Sequence, residues 1–358
     1  MDYGVVIACA VLLAVALMGA RGWWRYGFLP FTIRPKRMTV ARLGLNVTSP
    51  VNVERVDSIL RHFIGGFNAM ITKPTTAACR AHCESTPDLY RPFAEEGLAM
   101  GYTLRHLFRY RPAEFEARIV KPHPEFRYLY YVGLGFWSGL RKHSQPKLAR
   151  IVEELDPLHR YLCYDGYGFS CAFFELPRDA HALRRLDALD GYARKAAYQG
   201  VGRALWFQEM DRPEMLIERI RSSGDDAEDV AAGVGLASVF VNPDRLVEAQ
   251  SLAERMPEAW REHFHLGMCF ALKARSINDL DRFERDMARL DPKVREAAWA
   301  SVRECDRIEL LVRAERRPDG YSTWRQQVTA WMKEHIRYPL AGVTAPAGRT
   351  LTHSAASN

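Results

Sequence analysis

Three charged residues stand at positions where the surrounding sequence is small or apolar. Glu96 and Asp165 each directly precede a glycine, and Arg203 directly follows a Gly-x-Gly sequence. Carboxylates beside close-packed helices are buried, and a buried carboxylate needs a partner. A structural ion pair between Asp165 and Arg203 is therefore the favoured interpretation. The alternative is a general acid–base site in which Asp165 or His159 has a perturbed pKa and Tyr167 donates a proton.

Patterns that would define a particular reaction are missing from the sequence. It contains no nucleophile elbow, phosphate-binding loop or dinucleotide fingerprint, so no catalytic residue is assigned and a non-catalytic protein is favoured. The close Cys/His cluster is Cys79, His82 and Cys83, which lacks the second pair of ligands that zinc needs. Two cysteines four residues apart on a helix more often pack as small apolar side chains. No metal and no cofactor are predicted.

Aromatic side chains are concentrated between residues 128 and 207. Most are expected in the core, because an aromatic stripe at helical spacing is usually buried. Others would face the concave surface of a helical array, where they would form a groove for an apolar ligand such as a polyene or a quinone, or for a partner helix. The predicted groove residues are Tyr131, Trp137, Tyr164, Tyr167 and Trp206.

A repeated glycine pattern predicts the elements that hold these residues. The glycines recur at intervals of 33 to 36 residues, at Gly97, Gly133, Gly166, Gly200, Gly233 and Gly267. In five of the six repeats a small residue follows four positions later, and a proline or glycine follows each one 24 or 25 positions later. No segment alternates convincingly with the period of two that a strand requires. The sequence therefore predicts an all-α domain at residues 52–337, built from helical-hairpin repeats as a tetratricopeptide-like α-solenoid with a period of about 34.

The N-terminal sequence is apolar from residue 4 to residue 20 and has no charged side chain in that run. As a helix these residues would reach roughly 26 Å, close to the ~30 Å of a bilayer core. The sequence predicts a transmembrane anchor at residues 1–22. A cleaved signal peptide is the alternative, with Ala14 and Ala16 as small residues at a cleavage site, but no basic residue precedes the apolar run.

Basic side chains after the apolar run predict its orientation. Residues 23–51 form a predicted basic juxtamembrane linker, and the predicted membrane-surface residues are Arg21, Trp23, Trp24, Arg25, Arg34, Lys36 and Arg37. The positive-inside rule then places the N-terminus outside and the main domain in the cytoplasm, at a bacterial inner membrane. Because this cluster accounts for most of the formal net charge of +7, contact with anionic lipid headgroups is predicted and nucleic-acid binding is not.

The composition changes again at the C-terminus. Residues 338–358 are rich in Ala, Thr, Gly and Ser, so a disordered tail is predicted. The seven cysteines are an odd number in a long chain without a dense framework, which favours reduced thiols over a disulfide-bonded scaffold.

Several long strings resemble a bacterial family called DUF1702, known mainly from enediyne biosynthesis clusters. They are FAEEGLAMG at residues 93–101, LDPLHRYLCYDGYGF at 155–169, GYARKAAYQGVGRALWF at 191–207, DVAAGVGLASVF at 229–240 and HLGMCFALKAR at 265–275. The sequences ARLG at 41–44 and YSTWR at 321–325 fit the same pattern. The family name records an unknown function. The resemblance implies an accessory protein encoded beside an RnfD-like membrane protein and an ASPIC/UnbV-domain protein.

Two functions from different classes follow from these observations. The first is a membrane-anchored helical-repeat adaptor, an accessory subunit of a membrane complex with RnfD-like and ASPIC/UnbV-type partners. The alternative is an accessory enzyme or carrier that acts on a lipophilic, polyene-like intermediate inside the helical array. The charged cluster and the aromatic residues favour the alternative, whereas the anchor and the family resemblance favour the adaptor.

Overall fold

The computed structural model describes residues 31–106, 111–177, 179–189 and 191–335. Across these ranges the secondary structure is helical and contains no β-strand, which confirms the predicted all-α class. The predicted anchor at residues 1–22 and the predicted tail at residues 338–358 lie outside these ranges. No helix within the described ranges is both long enough and apolar enough to cross a membrane.

The α-helices differ widely in length. They are α1 (Val40–Leu43), α2 (Pro50–Thr72), α3 (Thr76–Glu84), α4 (Arg91–Arg105), α5 (Pro112–Phe115), α6 (Arg127–Leu140), α7 (Gln145–Glu153), α8 (Leu162–Ser170), α9 (Gly191–Glu209), α10 (Pro213–Arg221), α11 (Ala227–Val241), α12 (Leu246–Glu254), α13 (Glu258–Asn278), α14 (Leu280–Met287), α15 (Pro292–Ala314) and α16 (Gly320–His335). Short 3-10 turns occupy Pro35–Arg37, Pro124–Phe126, Ala182–Leu186 and Gly224–Asp226, and π-helical turns occupy Glu116–Val120 and Cys171–Glu175.

Seven of these helices form a continuous row. Helices α2, α4, α6, α8, α9, α11 and α13 each pack against the next one in that order. Most of their residues are buried, whereas the shorter helices between them bury few side chains: α7 buries only Leu148 and Val152, and α10 only Leu216 and Ile220. The short helices therefore cover the outside of the row.

Glycine pairs set the spacing of the row. A Cβ atom on Gly166 would lie 2.0 Å from the carbonyl oxygen of Val132 on the preceding helix, and one on Gly168 would lie 1.9 Å from that of Ala197 on the following helix. The same arrangement occurs at the pairs Gly200/Gly202 and Gly233/Gly235. Gly166, Gly200 and Gly233 therefore lie at helix contacts too tight for a side chain.

The row winds back on itself, so that its beginning contacts its end. Asn46 donates to the Glu209 carboxylate at the end of α9 at 3.0 Å, and Arg55 of α2 bonds Asp244 just after α11 at 2.9 Å. Arg275 near the end of α13 donates to the carbonyl oxygen of residue 89, before α4, at 3.1 Å. Helices α15 and α16 pack beside α13 and complete the domain. The inward faces of the helices consequently meet in one core.

The described part of the predicted linker is packed against this domain. The Ile33 amide donates to Asn68 at 2.9 Å, and the amides of Thr48 and Ser49 donate to Asp211 at 2.7 Å. Three predicted membrane-surface residues of this segment, Arg34, Lys36 and Arg37, are exposed on and beside a 3-10 turn. The other predicted membrane-surface residues, Arg21, Trp23, Trp24 and Arg25, lie outside the described ranges.

Candidate functional site

Three residues singled out from the sequence meet in the core. Arg203 of α9 donates a hydrogen bond from Nη1 to Asp165 of α8, and its Nη2 lies 3.4 Å from Oε1 of Glu96 on α4. All three are buried, with exposed fractions of 6%, 1% and 2% for Arg203, Asp165 and Glu96. One guanidinium thus joins two carboxylates from two other helices. We call these three residues the core trio.

The other two candidate acid–base residues lie elsewhere. The His159 ring bonds Asp156 through Nδ1 at 2.9 Å and Glu309 of α15 through Nε2 at 3.3 Å. The Tyr167 hydroxyl donates to the backbone carbonyl of His143 at 3.3 Å. The structure therefore places neither residue with the core trio.

Burial alters the protonation of one member of the core trio. Removal from water raises the pKa of Glu96 to about 7, and the charge of Asp165 adds to the increase, while the Arg203 guanidinium opposes it. Among the described residues, Arg203 is the only hydrogen-bond partner of the Glu96 carboxylate. The Glu96 carboxylate therefore takes up a proton near neutral pH.

Two small cavities adjoin the core trio. One of about 60 Å³ touches Asp165 and Arg203 together with Phe270 and Trp324, and one of about 40 Å³ touches Glu96 and Arg203. An apolar cavity that holds benzene measures about 150 Å³. A polyene would therefore need large side-chain movements to enter either cavity.

The predicted groove residues do not line these two cavities. Tyr131, Trp137, Tyr164, Tyr167 and Trp206 are all buried, with exposed fractions between 0% and 7%. The Tyr131 hydroxyl donates to Glu116, and Trp206 borders a different pocket at the end of α9. The structure does not bring the five together in one groove.

A hydrogen-bonded path leads from the core trio to the surface. The Gln199 side chain donates from Nε2 to Oδ2 of Asp165 at 2.7 Å, and its Oε1 accepts a hydrogen bond from Nη1 of Arg325 on α16. Arg325 is 3% exposed, and its guanidinium lies over the rings of Tyr192 and Phe270. The path therefore ties α16 to α8 and α9.

Arg325 also forms part of the wall of a surface pocket of about 340 Å³. The polar residues around this pocket include Lys195, Asp229, His263, Thr329 and Lys333, which come from α9, α11, α13 and α16. Lys195, Asp229 and His263 lie near the N-terminal ends of their helices. We call this the N-terminal pocket.

Several charged groups in the N-terminal pocket have no ion-pair partner. Lys195 and Asp229 make no hydrogen bond and no ion pair within 4.0 Å to any described residue, and Nε of Arg325 is buried without a hydrogen-bond partner. In contrast, Lys333 pairs with Glu262 at 2.8 Å, and Nε2 of His263 pairs with Glu228 at 3.2 Å.

The protonation of two groups in the N-terminal pocket is perturbed. Burial raises the pKa of Asp229 to about 6, although the charges of Arg325 and Lys195 act in the opposite direction. Burial also lowers the pKa of His263. Perturbed titratable groups that face a pocket are typical of binding and catalytic sites.

A second pocket of similar size contrasts with the N-terminal pocket. It measures about 310 Å³ and includes Arg245 and Arg255. Arg245 pairs with Glu248 at 3.5 Å, and Arg255 pairs with Glu214. Because both arginines already have carboxylate partners, this pocket offers less to a charged ligand.

The sequence interpretation missed the N-terminal pocket, although one signal pointed to it. Asp229 and His263 each lie four residues before a repeat glycine, so the repeat register places them at equivalent positions on neighbouring helices. Arg325 lies beyond the last repeat glycine, and the register therefore gave no reason to connect it with them.

The described ranges contain no group of three or more His, Cys, Asp or Glu side chains that could hold a metal ion. Cys79 and Cys83 are both buried in α3.

Fold and site together define an all-α array with a charged core and a polar surface pocket. The model of the family described as "Protein of unknown function (DUF1702)" matches residues 28–332. The chain therefore belongs to the DUF1702 family, as its sequence motifs indicated. Searches of the curated proteins and of the solved structures gave no match to it.

Proposed function

We propose that this protein binds a small polar molecule in the N-terminal pocket and acts as an accessory ligand-binding or carrier protein. The observation that carries this proposal is the presence of Asp229 and Arg325, both buried and without an ion pair, on the wall of one pocket of about 340 Å³. Small-molecule sites usually measure about 300 to 1,000 Å³. A largely buried charge without an ion-pair partner is costly, so a ligand that supplies the opposite charge binds favourably.

The core trio has a positioning role in this proposal. Through Gln199, the Asp165 carboxylate restrains the Arg325 side chain, which is part of the pocket wall. A restrained side chain loses less conformational entropy when a ligand binds. The buried network therefore supports a preformed pocket more directly than a reaction inside the core.

Native mass spectrometry tests the proposed function. Wild-type protein, the pocket-filling variant Ala330→Trp and the control variant Ala149→Trp are each equilibrated with a small-molecule extract of the native host. Ala330 is exposed at the pocket, and Ala149 is exposed on α7. We expect a bound mass on the wild type and on Ala149→Trp, and its loss from Ala330→Trp. A folded wild type without bound mass, or retention of the mass by Ala330→Trp, would contradict the proposal.

A membrane-anchored adaptor is the second candidate function. In this proposal residues 1–22 anchor the chain in a bacterial inner membrane with the domain in the cytoplasm, and RnfD-like and ASPIC/UnbV-domain proteins are its partners in enediyne biosynthesis. Support comes from residues 33–49, which are hydrogen-bonded to the domain, so an anchor would hold the domain close to the bilayer. The exposed Arg34, Lys36 and Arg37 would then face anionic headgroups.

Purification from solubilised membranes tests the adaptor function. Co-purification of an RnfD-like subunit with the full chain, and its loss when residues 1–22 are replaced by a soluble tag, is the expected result. Recovery of the full chain from the soluble fraction, or periplasmic activity of a reporter fused after residue 335, would contradict the proposed location.

The architecture of the row also supports a finer proposal. Except between α8 and α9, an additional helix separates consecutive helices of the row, and the glycines that contact the preceding helix recur about every 34 residues. We propose that this unit is a tetratricopeptide-like helical hairpin, in which the glycine lies at the contact between first helices.

A further inference from the structure

The unpaired groups in the N-terminal pocket carry charges of both signs. On the cationic side, Lys195 is exposed near the start of α9 and has no ion pair with a described residue. Arg325 is buried, and no described carboxylate oxygen lies within 4.0 Å of it. The N-terminal end of α9 adds partial positive charge on this side. This side of the pocket suits a carboxylate.

On the anionic side, Asp229 lies in the first turn of α11 and is 9% exposed. Its carboxylate is influenced by Arg325 and Lys195 through space but contacts neither of them. Of the other acids at this edge, Glu262 is paired with Lys333, and Glu228 is exposed with an oxygen 3.2 Å from Nε2 of His263. A largely buried carboxylate that accepts no hydrogen bond from a described residue suits an ammonium group.

One small molecule that carries both charges would pair both sides at once. We infer that the ligand of the N-terminal pocket is a zwitterion of the amino-acid class, with its carboxylate toward Lys195 and Arg325 and its ammonium toward Asp229. This inference rests on the proposed ligand-binding function of the same pocket. Tyr192, Leu266 and Ala330 form a less polar part of the wall, where a hydrocarbon side chain would lie.

The first experiment measures which charges the ligand needs. The common amino acids are screened by thermal shift, and the best binder is compared by calorimetry with its deaminated and decarboxylated analogues. For leucine these analogues are 4-methylpentanoate and 3-methylbutylamine. Because a site built to bond both groups rejects an analogue that lacks one, we expect each analogue to bind at least about tenfold more weakly. An analogue that binds as tightly as the amino acid would overturn the inference.

Two variants assign each charge to its partner. In Asp229→Asn the amino acid and its deaminated analogue should bind equally well, because the ammonium has lost its carboxylate. In Lys195→Met the preference for the amino acid over the amine should fall. Lys147→Met, an exposed change on α7, is the matched control and should bind like the wild type. Unchanged selectivity in both pocket variants would also overturn the inference.

The two proposals fail in different ways. If no amino acid stabilises the protein but the extract still supplies a bound mass that Ala330→Trp abolishes, the zwitterion inference is wrong and the ligand-binding function stands. If the extract supplies no mass that depends on the pocket, the ligand-binding function itself is wrong.

Discussion

Arg325 of α16 and Asp165 of α8 are connected through a single side chain, the amide of Gln199. The amide oxygen accepts from Arg325, and the amide nitrogen donates to Asp165 at 2.7 Å. A residue on the wall of the N-terminal pocket is thereby linked to the buried pair of Asp165 and Arg203. Substitutions in the core trio should consequently alter the position of Arg325 in the N-terminal pocket.

Loss of the Asp165 charge should destabilise the fold. In Asp165→Asn the Arg203 guanidinium keeps only Glu96 as a carboxylate partner, at 3.4 Å. We expect the free energy of unfolding in urea to fall by ~3 to 5 kcal/mol, which is typical when a buried ion pair loses one partner. The combined change Asp165→Leu, Arg203→Met and Glu96→Leu, which removes all three buried charges together, should recover much of this loss. An Asp165→Asn protein as stable as the wild type would contradict a structural ion pair between Asp165 and Arg203.

The glycine contacts make a second prediction about stability. A Cβ atom on Gly200 would lie 1.8 Å from the backbone carbonyl oxygen of Asp165, which cannot move without disturbing α8. Gly200→Leu should therefore cost roughly 1 to 3 kcal/mol or more through overpacking. Ala149→Leu, on the exposed side of α7, is the control. An unchanged melting temperature for Gly200→Leu would show that α8 and α9 do not pack as described.

The His159 network predicts a dependence of stability on pH. Burial lowers the pKa of His159, but hydrogen bonds from its ring to Asp156 and Glu309 outweigh burial and raise it above 6.5. Protonated His159 therefore stabilises the fold fully below pH 6.5, and this contribution is lost as pH rises through the raised pKa.

The measurement for His159 is the difference in unfolding free energy between wild type and His159→Gln over a range of pH. We expect a larger difference at pH 6 than at pH 9. The pKa of Glu309 is lowered to about 2, chiefly by the hydrogen bond from His159 against the effect of burial. The Glu309 contribution is therefore present above pH 4.5 and is constant in this comparison. A difference that grows with pH would contradict the assignment.

Ionised Asp229 should destabilise the fold, whereas an ionised acid in an ion pair stabilises it. The pKa of Asp229 rises from 3.8 to about 6 on folding because of burial, so the native state holds more protons between these values. Stability should fall as pH rises through this window, and Asp229→Asn should remove the penalty. At pH 8 without ligand, we expect Asp229→Asn to be more stable than the wild type by up to roughly 3 kcal/mol. A variant less stable than the wild type at pH 8 would indicate that Asp229 has a bonded partner.

Parts of the candidate site were predictable from the sequence because repeat register carries information about neighbouring helices. Glu96 and Asp165 each precede a repeat glycine, and the structure places both beside Arg203. The period of a helix indicates which face is buried, but it does not indicate which helices meet across the core. Tyr167, for example, lies on the same helix as Asp165. Its hydroxyl nevertheless donates to the backbone carbonyl of His143 and lies away from the core trio.

Arg325 was beyond prediction for a related reason. Its helix, α16, follows the repeats, and its contact with Gln199 joins residues 126 positions apart in the chain. No local pattern encodes a contact at that separation. The winding of the row back onto itself likewise depends on pairs such as Arg55 and Asp244, which are 189 positions apart.

The most direct test of the ligand pocket is the electron density in crystals of wild-type protein equilibrated with extract of the native host. We expect density for one small molecule in the N-terminal pocket, in contact with the side chains of Lys195 and Asp229, and none there in crystals of Ala330→Trp. Density for the bound molecule at the core trio or in the pocket beside Arg245, with only water beside Lys195 and Asp229, would contradict the proposed site.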